Sequence, residues 1–225
     1  MTAHPSISAP LRRLAAAGLL GLAMLTGCES NEESPAPGIT EAEPGECLPR
    51  EIPARDAVEF TVDCDDEAAF WTLTAISGDS GASSPDGADL VDDQPLFDLC
   101  GEEITAYFPG RPHTGWDMVH DEESGEVEYL FCFEAIGRPD AEGATPVVPA
   151  VEECFESSDV EWWTRPCDPA VADAVVTDVF ELELEDRGAF GDVFEELSGQ
   201  CTGSAYRGLV DDFGRTSGII CFDYL

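Results

Sequence analysis

Lysine is absent from this chain. Ten arginines stand against 48 Asp and Glu, and the formal net charge over 225 residues is −38. A surface that acidic repels nucleic acid and anionic lipid headgroups, so neither is expected as a partner. No C-x-x-C pair occurs, which removes the usual spacing of cysteine zinc sites and of thioredoxin-like redox centres. No G-x-S-x-G nucleophile elbow is present either. No apolar run reaches the ~20 residues that cross a bilayer as a helix. What is abundant is apolar mass: 43% of the chain is hydrophobic, enough for one or two small domains with real cores and too much for disorder throughout.

The first 27 residues read as a leader. Arg12 and Arg13 form a short cationic start, and Leu14 to Leu25 is a run of small and aliphatic residues. Its length falls in the ~7–15 residue window of a signal sequence. Leu25-Thr26-Gly27-Cys28 follows directly and resembles the lipobox of bacterial lipoproteins. That resemblance implies cleavage before Cys28, lipid on its thiol, and attachment to the outer face of the cell membrane. Removing this segment, which holds two arginines and no acid, leaves the remainder more acidic still. Residues 28–45, rich in Glu and Pro, read as a flexible tether. Residues 137–150, with Pro139, Gly143, Pro146 and Pro149, read as a linker.

Either side of that linker lie four cysteines: Cys47, Cys64, Cys100 and Cys132 before it, Cys154, Cys167, Cys201 and Cys221 after it. The flanking residues agree as well. Glu46-Cys47-Leu48 matches Glu153-Cys154-Phe155, Cys64-Asp65 matches Cys167-Asp168, and Leu130-Phe131-Cys132-Phe133 matches Ile219-Ile220-Cys221-Phe222. Ala106-Tyr107 reads as the counterpart of Ala205-Tyr206. The chain is therefore a tandem duplication, with repeat 1 over 46–136 and repeat 2 over 151–225. In an exported chain the eight cysteines imply disulfides, two within each repeat. Each repeat is too small to be robust without them. Three connectivities are open per repeat, and first with second, third with fourth is the one we favour.

Phe70 to Ile76 and Ala174 to Phe180 are rich in β-branched and aromatic residues and read as equivalent strands. Val127, Tyr129, Phe131 and Phe133 alternate with Glu128, Leu130 and Cys132, a strand with the cysteine on its second face. Phe190, Val193, Phe194 and Leu197 have helical spacing and lead into Cys201. Asp93-Gln94-Pro95 reads as the start of the matching helix, Asp93 serving as N-cap. The fold class that results is α+β and β-rich: two tandem small antiparallel sheets, each with a short helix and two disulfides.

Gly45-Glu46-Cys47-Leu48, Val62-Asp63-Cys64-Asp65, the lone Cys100 ahead of Ala106-Tyr107-Phe108, and Leu130-Phe131-Cys132-Phe133 together resemble the four-cysteine module of actinobacterial envelope lipoproteins of the LppU type, here duplicated. The same run is similar, more distantly, to the septum-formation family module. The resemblance spans both repeats. It implies an exported envelope protein and carries over no catalytic residue.

The sequence holds few residues on which a reaction could be built. His113 and His120 share an Asp-rich stretch with Asp117, Asp121, Glu122 and Glu123, but not at the i, i+4 spacing of helical zinc ligands, so neither a metal nor a cofactor is expected. Among 48 acids, chance carboxylate pairs are certain, and no pair marks a glycosidase. Tryptophan is the better guide to binding. Trp162-Trp163 reads as part of a strand with one ring in and one out, and Trp116 reads as exposed in its loop; all three are candidates for partner contact. A non-enzymatic, membrane-anchored protein that binds a protein or a cell-wall component fits these features best. A metal-dependent or carboxylate-based cell-wall hydrolase is the alternative.

Overall fold

The computed structural model describes residues 38–53, 59–183 and 190–225, without the side chains of 190–193. Cys28 and the leader lie outside the described residues. Two four-stranded antiparallel sheets carry the fold. The first has the order β1-β2-β4-β3, with β1 at Cys47–Pro49, β2 at Ala69–Ser77, β3 at Thr114–His120 and β4 at Val127–Ala135. The second repeats that order as β5-β6-β8-β7, with β5 at Cys154–Phe155, β6 at Ala174–Glu181, β7 at Ala205–Val210 and β8 at Thr216–Tyr224. One helix accompanies each sheet, α1 at Gln94–Cys100 and α2 at Phe190–Ser198. Among the described residues no helix is long and apolar enough to cross a membrane.

The duplication extends to irregularities. The β2–β4 register shifts between Leu73 and Ala75, and the β6–β8 register shifts between Val176 and Asp178. The hairpins shift again at Val119/His120 and at Leu209/Val210. Each shift re-aims the side chains beyond it. Hairpin register also overturns one expected equivalence between the halves, that of Ala106-Tyr107 with Ala205-Tyr206. Trp116 faces Cys132 across the first hairpin, and Tyr206 faces Cys221 across the second. Tyr206 is therefore the counterpart of Trp116, and Ala106-Tyr107 belongs to the loop before β3.

Strand β4 is buried on both faces. Phe131 and Phe133 pack with Ile39, Leu48, Phe60 and Leu73, while Leu130 and Cys132 pack with Leu90, Leu96 and Ile104 beneath α1. Val127 joins the second group rather than the first, because the register shift opposite Val119 and His120 returns it to the Cys132 side. In the second sheet Ile219, Ile220, Cys221 and Phe222 are all buried. A central strand with both faces covered reads as a continuous apolar run, which is why L-F-C-F and I-I-C-F stand out in the sequence.

The disulfides pair Cys47 with Cys64, Cys100 with Cys132, Cys154 with Cys167, and Cys201 with Cys221. This is the favoured connectivity. Asp93 stands at the N-cap position of α1, but its backbone is already helical and its side chain makes no capping bond. The neighbouring Asp92 carboxylate instead accepts the Gln94 N–H at 3.0 Å.

Two segments differ from expectation. The end of the expected tether is part of the core: Ile39 and Ala42 are buried, and the Gly45 N–H donates to the Leu73 carbonyl at 2.8 Å. The expected linker is built in as well. Ala144 and Val148 are buried, Thr145 and Thr164 exchange backbone hydrogen bonds, and the Gly110 N–H donates to the Val148 carbonyl at 2.7 Å. Proline and glycine there shape a path between the halves and do not loosen it.

Candidate functional site

The cation-poor composition makes the placement of each arginine informative, and several of them gather where the halves meet. On one flank, Arg215 pairs with Asp211 at 2.8 Å, donates to the Ile104 carbonyl of the first half at 3.3 Å, and stacks over Phe97 and Phe213 at 4.9 and 5.0 Å. The Ser217 hydroxyl donates to the Tyr107 carbonyl, and the Tyr107 ring packs on the second core. On the other flank, Phe70 of the first half stacks on Trp163 of the second at 5.8 Å, and the Arg50 guanidinium covers both rings. Arg207 covers Trp162 at 4.8 Å and donates to the Ser157 carbonyl at 2.6 Å.

The two adjacent tryptophans therefore serve the interior. Trp162 is 2% exposed and Trp163 6%, and neither lies in a strand. Trp162 takes a left-handed backbone conformation, with φ +55°, that turns the chain so that both rings go inward. This corrects the expectation of one ring in and one out, which assumed strand alternation. Sequence carried no signal for it, since a positive φ at Trp is rare.

Trp116 has a different environment. It was expected exposed in a loop and lies instead on the edge strand β3, half-buried against the α1 side of the first sheet, because the stretch from Thr114 to His120 pairs with β4. Beside it runs an open groove of about 550 Å³, lined by Asp89, Asp93, Asp117 and Trp116 from the first half and Asp212 and Phe213 from the second. Burial pushes the Asp117 carboxyl above the ordinary carboxylate range, against the opposing pull of the Met118 N–H. Burial and then the Asp211 charge push Asp212 the same way. Such a groove suits ligands that are cationic or carry hydrogen-bond donors beside an apolar face. Of the residues singled out in the sequence for a site, Trp116 and Asp117 line the groove. Nothing in the sequence marked Asp89 for this groove, and Asp93 was read only as a helix N-cap.

The two histidines part company. His113 precedes β3 and His120 closes it, which along a strand separates them by roughly 23 Å. Among the described residues no group of three or more His, Cys, Asp or Glu is placed to hold a metal ion. His113 sits in the seam, 9% exposed, its Nε2 3.3 Å from the Trp162 carbonyl and its ring edge-on to Tyr107 at 5.5 Å. Burial lowers its pKa below the ordinary 6.5, outweighing the Trp162 carbonyl and Asp159, which both favour the charged form. The same enclosure, with Asp212 as the leading charge, pushes the Tyr107 hydroxyl up to about 12.

A pH dependence follows. A buried histidine with a lowered pKa is neutral in the fold and protonates more readily when unfolded, so its stabilising contribution is whole above about 6.5 and is lost as pH falls below it. Asp117 and Asp212, raised in the fold, act in the opposite sense near the carboxylate range. The melting temperature is expected to fall between about pH 7 and pH 5.5, and His113→Gln to flatten that slope. Melts across the range test this, and an unchanged slope in the variant would refute it.

No protein-family model matches this chain, and no curated protein or solved structure matches it either.

Proposed function

We infer that this chain is an exported envelope protein, anchored through lipid on Cys28, that binds a protein or cell-wall component without transforming it. The observation that carries the binding reading is the Trp116 groove, to which both halves contribute walls. Four disulfides and a seam of rings and arginines make the support rigid. A site on a rigid support loses little conformational entropy when it is occupied. The anchoring reading rests on Leu25-Thr26-Gly27-Cys28, and the four-cysteine resemblance to envelope lipoproteins agrees with it. The acid excess directs the choice of partner away from nucleic acid and toward neutral or basic surfaces.

Two measurements test the two parts. Metabolic labelling with a fatty-acid probe and mass spectrometry of the N-terminus should show an acylated Cys28, and Cys28→Ser should be released or left uncleaved. An unmodified N-terminus at another residue would refute the anchor. Cosedimentation with purified cell-wall polymer should be saturable and weakened at least tenfold by Trp116→Ala, a loss of about 1.4 kcal/mol. Equal retention of both proteins would remove Trp116 from the binding surface.

A further inference from the structure

We propose that a small pocket on the Arg50 flank binds the carboxylate of an amino-acid-sized zwitterion. The pocket holds about 260 Å³ and is lined by Arg50, Glu67, Phe70, Arg138, Asp140 and Pro146, among others. It shares no lining residue with the Trp116 groove. The proposal deepens the binding reading but stands whether or not that groove is occupied.

In a chain with so few cations, the place of each one is informative. Six arginines lie among the described residues, and five have an oxygen partner. Arg111 reaches Glu103 at 3.6 Å and Arg165 reaches Asp159 at 3.2 Å. Arg207 and Arg215 bond as described above. Arg138 donates through Nη1 to the Asp66 carbonyl at 2.7 Å and through Nη2 to the Cys64 carbonyl at 2.9 Å. Arg50 is the exception. Among the described residues its guanidinium has no carboxylate or carbonyl partner, only the faces of Phe70 and Trp163 at 5.1 and 4.7 Å. Arg50 is exposed, and among the described residues no carboxylate takes up its donors.

Its setting makes that vacancy useful. The Trp71 indole donates to the Arg50 carbonyl at 3.2 Å and fixes the main chain there. Stacking uses the flat face of a guanidinium and leaves its in-plane N–H groups for an acceptor, and that fork matches a carboxylate in two parallel bonds. Arg138, held by the backbone around Cys64, brings a second positive charge to the same pocket and keeps three of its five donors. Glu67 and Asp140 line the pocket as well. Two cations and two anions around a small volume repel a dianion and favour a ligand that carries an ammonium beside its carboxylate. A free amino acid and the end of a short peptide share that chemistry.

The test uses the full chain, purified in detergent with its N-terminus as the cell leaves it. Alanine, alaninamide, N-acetylalanine and dialanine are titrated while the arginine Nε–Hε resonances and the heat of binding are recorded. Saturable binding of alanine with a Kd of order 1 mM, moving the Arg50 resonance, is the expected result. Alaninamide should bind at least tenfold more weakly, and so should N-acetylalanine. Arg50→Gln should abolish the response and Arg50→Lys should weaken it, since lysine keeps the charge and loses the fork, while Arg111→Gln should leave it intact. Melting curves establish that each variant is folded. Tighter binding of dialanine than of alanine would assign the site to a peptide end, and the reverse would assign it to a free amino acid. Alaninamide binding as well as alanine, an undiminished Arg50→Gln response, or no saturation at roughly a hundred times that Kd would overturn the proposal.

Discussion

Replacing Arg215 with methionine is expected to destabilise the protein at pH 7 by about 3–5 kcal/mol, the cost of leaving a buried charge without its partner. The Asp211 side chain is only 1% exposed, and Arg215 meets it through Nε at 2.8 Å. The carboxylate keeps the Phe213 and Arg215 backbone N–H groups at 3.0 and 2.7 Å, which soften the loss without removing it. The substitution also deletes the bond to the Ile104 carbonyl and the cation over Phe97 and Phe213, two of the ties between the halves. The melting temperature should fall by roughly 10 °C. Methionine fills much of the arginine volume, so lost packing contributes little. The double variant Asp211→Asn, Arg215→Met should recover much of the loss, because no charge then remains buried. A single variant within about 1 kcal/mol of the parent, the level of an exposed pair, would show that the seam does not depend on this contact.

Reduction of all four disulfides is expected to abolish the cooperative melt. Each bond closes a loop of 13 to 32 residues, and each such loop is worth about 2–4 kcal/mol through restriction of the unfolded chain. Four together reach about 8–16 kcal/mol, as large as the whole stability of an ordinary domain. The order of reduction should follow access. Cys64 and Cys167 are exposed, whereas Cys132 and Cys221 are 1% and 0% exposed with half-buried partners. Exchange requires a thiolate to reach a sulfur, so Cys47–Cys64 and Cys154–Cys167 should open first. Limited reduction, thiol trapping and peptide mass spectrometry read this order. If the reduced protein kept a cooperative transition near the native temperature, the cores would be sufficient alone and the bridges incidental. Simultaneous opening of all four would mean that unfolding, not access, admits the reductant.

Several of these features were legible in the residues themselves. The matched cysteine environments announced two similar halves, β-branched and aromatic enrichment located β2 and β6, and apolar alternation located β4, each to within two residues. The same logic placed α1 and α2. It failed at Asp93, where a residue type suited to capping adopted a helical backbone and left the job to Asp92. It failed again at Ala106-Tyr107, where two identical letters suggested an equivalence that hairpin register assigns to Trp116 and Tyr206.

The sequence by itself determined the class of fold, the doubling, the pairing partners as a favoured choice, and a strongly acidic electrostatic character. Those properties are sums over composition or repeat at short range, and no knowledge of distant contacts is needed to read them. Only the tertiary structure decided where the scarce cations are used. Arg215 and Arg50 look alike in the sequence, yet one neutralises a buried Asp211 and the other lies on two rings with no carboxylate partner among the described residues. It decided too that Trp162 and Trp163 both turn inward, that Ile39 and Val148 belong to cores, and that Asp212 comes to stand beside Trp116. Apart from the Arg215–Asp211 pair, which is four residues apart, these depend on contacts between residues distant in the chain, and the free energy of such a contact has no local signature in the sequence.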